Sequence, residues 1–210
     1  FEGIDGAGKT TQADKLRQAL SDAGLQVVSS KEPTEGAWGR RLRESARNGR
    51  LPVKEEIEAF LKDRAEHVRE LIQPALDAGK VVILDRYFYS TVAYQGARGE
   101  RFEELDRLNR EFAPIPDKVI LLDIDPEVAI ARIAEGRREV PNLFEKVDYL
   151  REVRAIFNQL AELHPEIEKL DGTLAASKLQ EKIRLAIIDG PVMDRFRAKA
   201  TKARQVQSRI

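Results

Sequence analysis

The stretch Gly3-Ile4-Asp5-Gly6-Ala7-Gly8-Lys9-Thr10, followed by Thr11, constrains this chain more than any other. It fits G-x-x-x-x-G-K-[ST], the phosphate-binding loop pattern. Its glycines let backbone N–H groups turn inward around phosphate oxygens. A helix beginning near Lys9 would aim its positive end at the same anion. In that setting Lys9 reaches the β- and γ-phosphates of a nucleoside triphosphate and the Thr10 hydroxyl holds Mg²⁺. The competing reading is a glycine-rich turn with a chance lysine. Against it, Ala13, Leu16, Leu20 and Ala23 recur at helical spacing and Gly24 follows as a stop. Phe1-Glu2 would be the last step of the buried strand that such a loop requires, so a few residues are expected to precede Phe1.

The rest of the chain alternates strands and helices. Gln26 to Ser30 reads as a strand, and Pro33 marks a loop after it. Helices are expected over Ala37 to Asn48 and over Lys54 to Asp77, the second with a kink at Pro74. Val81-Val82-Ile83-Leu84, ending in Asp85, is a continuous apolar run of the kind buried on both faces of a parallel sheet. Asp85 would then stand at the carboxyl end of its strand, where open α/β sheets place ligands. A segment from Ser90 to Gly96 and a helical stripe of Phe102, Leu105, Leu108 and Phe112 precede a second buried strand, Val119 to Asp123. Glu127 to Ala134 reads as a helix, Gly136 to Asn142 as a mobile polar loop, and Phe144 to Leu160 as a long helix. A last strand, Ile167 to Leu170, and a last helix, Leu174 to Ile188, complete the pattern. The fold class expected is α/β: a three-layer P-loop NTPase fold, with a parallel sheet, helices on both faces and a short lid. One domain covers 1–188. The tail 189–210, dense in Lys and Arg, is set apart without a function.

Charge and composition narrow the field. Lys plus Arg and Asp plus Glu each total 36, so the formal net charge is zero, which argues against a nucleic-acid partner held by bulk charge. No apolar run reaches membrane-spanning length. Cysteine is absent, so disulfides and thiolate metal sites are excluded. A cytoplasmic enzyme is the default. His67 is expected as a polar surface residue on the long helix, and His164 is assigned nothing.

Three further stretches make the reading specific. They are Phe60-Leu61-Lys62-Asp63-Arg64-Ala65; Asp85-Arg86-Tyr87 with Ser90-Thr91-Val92-Ala93-Tyr94-Gln95-Gly96; and Arg132 with Gly136-Arg137-Arg138. Together with Gly3-Ile4-Asp5 they resemble the thymidylate kinase family, whose members move the γ-phosphoryl of ATP onto dTMP. The resemblance runs from Phe1 to about Ile188. It implies ATP and Mg²⁺, dTMP as acceptor, and a homodimer.

The resemblance also carries roles, residue by residue. Asp5 would organise the acceptor site through Arg86 or water. Asp85 would be satisfied by Mg²⁺ or by Arg86, and Arg86 would bridge the donor and acceptor phosphates, a task that suits a planar guanidinium. A purely structural Asp85–Arg86 pair is the competing reading. Phe60 would stack on the thymine and Arg64 would bond a base carbonyl. Tyr94 would crowd the sugar 2′ position, with Thr91 and Gln95 lining the nucleoside side. Lys31 and Arg43 would hold the acceptor phosphate, Lys31 standing where bacterial members usually have Arg, and Glu32 would orient these cations or position Mg²⁺. Gly6 in the loop implies the variant whose transition-state cation comes from the lid, here Arg137 or Arg138. Arg132 would lie against the adenine, bordered by Leu170-Asp171-Gly172-Thr173.

Rivals remain open on the sequence. A deoxynucleoside kinase usually carries Glu-Arg-Ser where this chain has Asp-Arg-Tyr. A kinase for another deoxypyrimidine monophosphate, such as dUMP, and a non-catalytic ATP-binding regulator also fit a P-loop chain. A GTPase is disfavoured, since no Asn-Lys-x-Asp motif is present.

Overall fold

A computed structural model describes residues 1–135, 143–190 and 192–194, leaving out the side chains of residues 143–146. It is a mixed α/β structure with parallel strands. In chain order the described elements are α1 (Lys9–Asp22), β1 (Val27–Lys31), α2 (Ala37–Asn48), α3 (Val53–His67), α4 (Gln73–Asp77), β2 (Val81–Asp85), α5 (Phe88–Gly96), α6 (Phe102–Arg110), β3 (Val119–Asp123), α7 (Pro126–Glu135), α8 (Leu143–Leu163), β4 (Ile167–Asp171) and α9 (Ala176–Ile187).

β1 pairs parallel with β2 in the register Val27↔Val81 to Lys31↔Asp85, and β3 pairs parallel with β4 from Val119↔Ile167 to Asp123↔Asp171. Phe1-Glu2 lies between the two pairs. The Phe1 nitrogen donates to the Leu84 carbonyl (2.7 Å), and Arg86 N–H donates to the Phe1 carbonyl (2.9 Å). On the other side Glu2 N–H donates to Ile120 O and Leu122 N–H to Glu2 O, each at 2.9 Å. Backbone hydrogen bonds therefore run from β1 through β2 and residues 1–2 to β3 and β4, as expected for the strand step before the loop.

The apolar runs explain the core. β3 is buried along Val119 to Leu122, and Ala13, Leu16 and Leu20 form the stripe by which α1 packs against β1, β2 and α9. α8 presents Val147, Leu150, Val153, Phe157 and Leu160 to β3, β4 and α5. β2 departs from the full burial expected: Ile83 is buried, while Val81, Val82 and Leu84 are half-buried. The reason is an apolar cleft at the amino ends of the strands, which all three line together with Leu16, Ile72 and Met193.

The helix expected over Lys54 to Asp77 is interrupted. A π-helical turn, Val68–Ile72, separates α3 from α4, and Pro74 stands in the first turn of α4. Proline lacks the N–H that would continue an α-helical ladder and its ring crowds the preceding turn, so one wider turn absorbs the misfit. The Ser90 to Gly96 segment is helical and starts earlier, at Phe88. Strand β1 extends one residue beyond expectation, to Lys31, and α9 is shorter than expected at both ends. The loop 136–142 and most of the basic tail lie outside the described residues.

Candidate active site

The loop residues lead from Glu2 at the sheet to the amino end of α1. Gly3, Gly6 and Gly8 all have positive φ (+132°, +84° and +95°). Two of them admit no side chain on steric grounds either: a Cβ on Gly3 would meet Leu122 O at 2.5 Å, and one on Gly6 would meet Ala129 O at 2.4 Å. The second contact leaves no room for a side chain at position 6 of the loop. Ile4 and Ala7 are buried, and Ala7 N–H donates to Ile4 O (3.3 Å). Gly8 caps α1 without any side-chain partner for the first-turn N–H groups. Those donors remain available to an anion.

Lys9 is buried and its Nζ donates to Ile4 O (2.9 Å). Burial, then the nearby Arg86, lowers its pKa to about 8 against the pull of Asp5, Asp85 and Glu2. A cavity of about 400 Å³ opens over it, lined by Asp5, Gly6, Gly8, Thr10, Thr11, Lys31, Glu32, Asp85, Arg86, Arg132 and Ile133. It lies at the carboxyl ends of β1 and β2, where the strand-end residues Lys31 and Asp85 are direct register partners. The Thr10 hydroxyl donates to Asp85 Oδ2, while Asp85 Oδ1 is buried with no hydrogen-bond partner. An orphaned carboxylate oxygen beside a hydroxyl is a hard-oxygen set that suits Mg²⁺. Among the described residues no cluster of three or more acidic or histidine ligands could hold a metal alone. Arg132 donates to Gly172 O (2.9 Å), joining the two stretches expected beside the adenine.

Arg86 does not pair with Asp85, which removes the structural Asp–Arg pair as an account of this motif. It sits at φ +71°, an unusual conformation for a residue with a side chain. Its guanidinium turns to Asp5 Oδ1 (2.7 Å), Ser90 Oγ (2.8 Å), Gly3 O (3.3 Å) and Tyr94 Oη (3.4 Å). Burial alone would lower the Arg86 pKa, but Tyr94, Asp5 and Glu2 outweigh it and raise it above the ordinary arginine value. Tyr94 is pushed up to about 12, chiefly by burial, and its oxygen accepts from Asp5 N–H (3.2 Å).

A second cavity adjoins the first and shares Asp5, Glu32 and Arg86 with it. Pro33, Arg50, Glu56, Phe60, Arg64, Tyr87, Ser90, Thr91, Tyr94 and Gln95 complete its walls. Arg64 is almost fully buried. It donates to Glu32 Oε2 from Nε (2.9 Å) and Nη2 (2.6 Å), to Asn109 Oδ1 (2.5 Å) and to Thr91 Oγ1 (3.1 Å). Glu32 thus orients Arg64 rather than Lys31 or Arg43, and its other oxygen lies 3.0 Å from His67 Nδ1. His67 is therefore no surface residue: it is buried, with Nε2 2.8 Å from Ser30 Oγ. Arg43 lies outside both cavities and donates to Pro33 O (2.9 Å), Thr34 O (2.7 Å) and Glu35 Oε2 (2.7 Å). Arg137 and Arg138 lie outside the described residues.

Sequence reasoning passed over several residues. Glu2 is buried and accepts from Tyr87 N–H (2.8 Å), Ser90 N–H (3.3 Å) and Ser90 Oγ (2.5 Å), so the strand end holds the start of α5 and, through Ser90, Arg86. A carboxylate in the last step of a buried strand was the available signal. Asn109, Arg50, Glu56 and Tyr149 gave none at short range.

A loop of this shape over a buried lysine, next to an aromatic-walled cavity joined to it by an arginine, defines a P-loop phosphotransferase. The comparisons agree and are narrower. The thymidylate kinase family model matches residues 1–183. A thymidylate kinase of Xanthomonas campestris pv. campestris (strain B100) is 48% identical over 201 residues, covering 96% of this chain and 86% of that protein. One of Akkermansia muciniphila is 47% identical over 188 residues, 89% of each. One of Xanthomonas oryzae pv. oryzae (strain PXO99A) is 55% identical over 157 residues, 75% of this chain and 68% of that protein. The chain belongs to the thymidylate kinase family.

Proposed function

We propose that this protein transfers the γ-phosphoryl group of ATP to dTMP, giving ADP and the dTDP needed for dTTP synthesis. The observation that supports this best is the pair of adjoining cavities that share Asp5, Glu32 and Arg86. One would take the triphosphate over Lys9. The other would take a pyrimidine nucleotide, with its base against Phe60 and its phosphate toward Arg86.

The acceptor is already an anionic phosphate oxygen, so no general base is needed. Alignment and charge neutralisation suffice. Gly3, Gly6 and Gly8 would shape the loop, and Thr11 and the first-turn N–H groups of α1 would bind phosphate oxygens. Lys9 would leave Ile4 O for the β- and γ-phosphates. Arg86, held by Asp5 and Ser90, would face both phosphates. Bound beside Thr10 and Asp85, Mg²⁺ would draw charge from the β- and γ-oxygens. Lys31 would approach from the end of β1 and Arg132 would flank the adenine. Thr91, Tyr94 and Gln95 would define the sugar side, with Arg64 at the base edge and Arg43 in support of the acceptor loop. A lid arginine, Arg137 or Arg138, would complete the cation set. The finer fold is the three-layer P-loop NTPase arrangement with domain 1–188, as a homodimer in the cytoplasm. Among the described residues no helix is long and apolar enough to cross a membrane.

ADP production from ATP with dTMP, dUMP, dCMP and thymidine tests the reading, with Lys9→Ala and Arg86→Ala as controls. Turnover should be greatest with dTMP and fall on the order of a hundredfold or more in either variant. Greater turnover with another acceptor, or none with any, would replace the assignment. Light scattering tests the dimer.

A further inference from the structure

The charges around the second cavity are not balanced by internal pairs alone. Its carboxylates each have an arginine: Asp5 pairs with Arg86 (2.7 Å), Glu32 with Arg64 (2.6 Å) and Glu56 with Arg98. Arg50 lines the same cavity and forms no ion pair among the described residues. Instead its guanidinium carbon lies 5.7 Å from the centroid of the Tyr149 ring. Tyr149 is itself fixed, its hydroxyl donating to Tyr94 O (2.8 Å) and its ring meeting Tyr94 edge-on at 6.2 Å.

The backbone that presents Arg50 is anchored on both sides. Gly49, at φ +114°, ends α2 and turns the chain. Leu51 N–H donates to the buried Ser45 Oγ (2.8 Å), and Leu51 O accepts from Arg98 (3.5 Å). A cation held on an aromatic face at the rim of a cavity, with no carboxylate of its own, is suited to an anionic ligand. Arg43, expected in that role, does not line the cavity, and its donors are taken by Pro33 O, Thr34 O and Glu35.

We propose that Arg50 is a further acceptor-binding residue, supplying the positive charge that favours a nucleoside monophosphate over the uncharged nucleoside. This rests on the second cavity being the acceptor site. The ligand's phosphate brings two negative charges into a region where Arg86, Arg64 and Arg98 are each already paired with a carboxylate, and Arg50 adds a cation to Arg86 there. The Tyr149 ring restrains the guanidinium, so less side-chain freedom is lost when the ligand arrives.

Calorimetric titration of the full chain with dTMP and, separately, with thymidine tests this, using wild type, Arg50→Gln, Arg50→Lys and Phe60→Ala. Arg50→Gln should weaken dTMP about tenfold and leave thymidine unchanged, as loss of one exposed charge-assisted contact requires. Arg50→Lys, which keeps the charge, should recover most of the loss. If Arg50→Gln weakens neither ligand, or both equally, the proposal is wrong, the second result marking a merely structural prop for Tyr149. Phe60→Ala should weaken both ligands. If it weakens neither, the cavity is not the acceptor site; if it weakens both while Arg50→Gln weakens neither, only the role of Arg50 falls. Equal melting temperatures of wild type and Arg50→Gln exclude unfolding as the cause.

Discussion

Lys9 titrates low enough in the free protein to make nucleotide binding weaken at alkaline pH. Its amine is buried beside Arg86 and its pKa falls to about 8, against 10.5 for an ordinary lysine. The phosphates of a nucleotide bound at Lys9, as proposed, would surround the amine with negative charge and return the pKa toward its usual value or above. At pH 7 the free protein already carries most of the proton, so binding takes up little there. At pH 9 only about one molecule in eleven is charged before binding, so each binding event draws roughly 0.9 proton from solution. The affinity should be about tenfold lower at pH 9 than at pH 7, a penalty of about 1.4 kcal/mol. The ligand's terminal phosphate has lost its own last proton well below pH 9, so the uptake belongs to the protein.

The sign for stability runs the other way. The folded protein releases the Lys9 proton before the unfolded chain does, so between about pH 8 and 10.5 this group adds to the stability of the free protein as pH rises. Below pH 8 that contribution is lost. Titration calorimetry with ADP and Mg²⁺, in buffers of different ionisation enthalpy at pH 7 and pH 9, reads the uptake directly. Lys9→Arg, charged at both pH values, should show none attributable to this site. Equal heats in all buffers at pH 9 for the wild type would refute the reasoning, since a lysine near pKa 8 must then either stay neutral on binding or be charged already.

Gly6→Ala should lower the melting temperature by about 4–8 °C, from a cost near 2 kcal/mol for a side chain at positive φ against Ala129 O, and should abolish ATP binding in a filter or calorimetric assay. A variant that binds ATP normally would show that the loop relaxes freely. Arg64→Ala leaves Glu32 buried without its main partner, so denaturant unfolding should report a loss of about 3–5 kcal/mol, whereas the same substitution at the exposed Arg41 should cost under about 1 kcal/mol. Asp85→Ala should raise the Mg²⁺ concentration for half-maximal ADP formation at least about tenfold, because it removes the carboxylate that the Thr10 hydroxyl meets; an unchanged Mg²⁺ dependence would take the ion away from this strand end.

The loop, the strand ends and most helices were legible because each rests on short-range signals. Gly-Lys-Thr spacing fixes the loop. The run ending in Asp85 fixes a strand and its carboxyl end, and Phe60 and Arg64, one turn apart on α3, do line one cavity. What stayed hidden depends on long-range pairing. Nothing near His67 in sequence says that Glu32 and Ser30 will enclose it, so a histidine on a charged helix looked solvated when it is buried. Asp85-Arg86 looked like a pair because the residues are adjacent. Adjacent side chains at a strand end point apart, and the positive φ of Arg86 swings its guanidinium to Asp5 instead.

That swing has a consequence for how the two cavities work together. Glu2 holds Ser90, Ser90 holds Arg86, and Arg86 holds Asp5, which belongs to the phosphate loop itself. Arg86 is thereby held from α5 and from the loop at once. In the role proposed for it, Arg86 would gain from being oriented before either phosphate arrives, because the reorganisation is then not repeated at each turnover. The unusual backbone angle at Arg86 is consistent with that arrangement: a strained conformation persists only where its surroundings over-determine it, and here the bonds to Gly3, Asp5, Ser90 and Tyr94 do so.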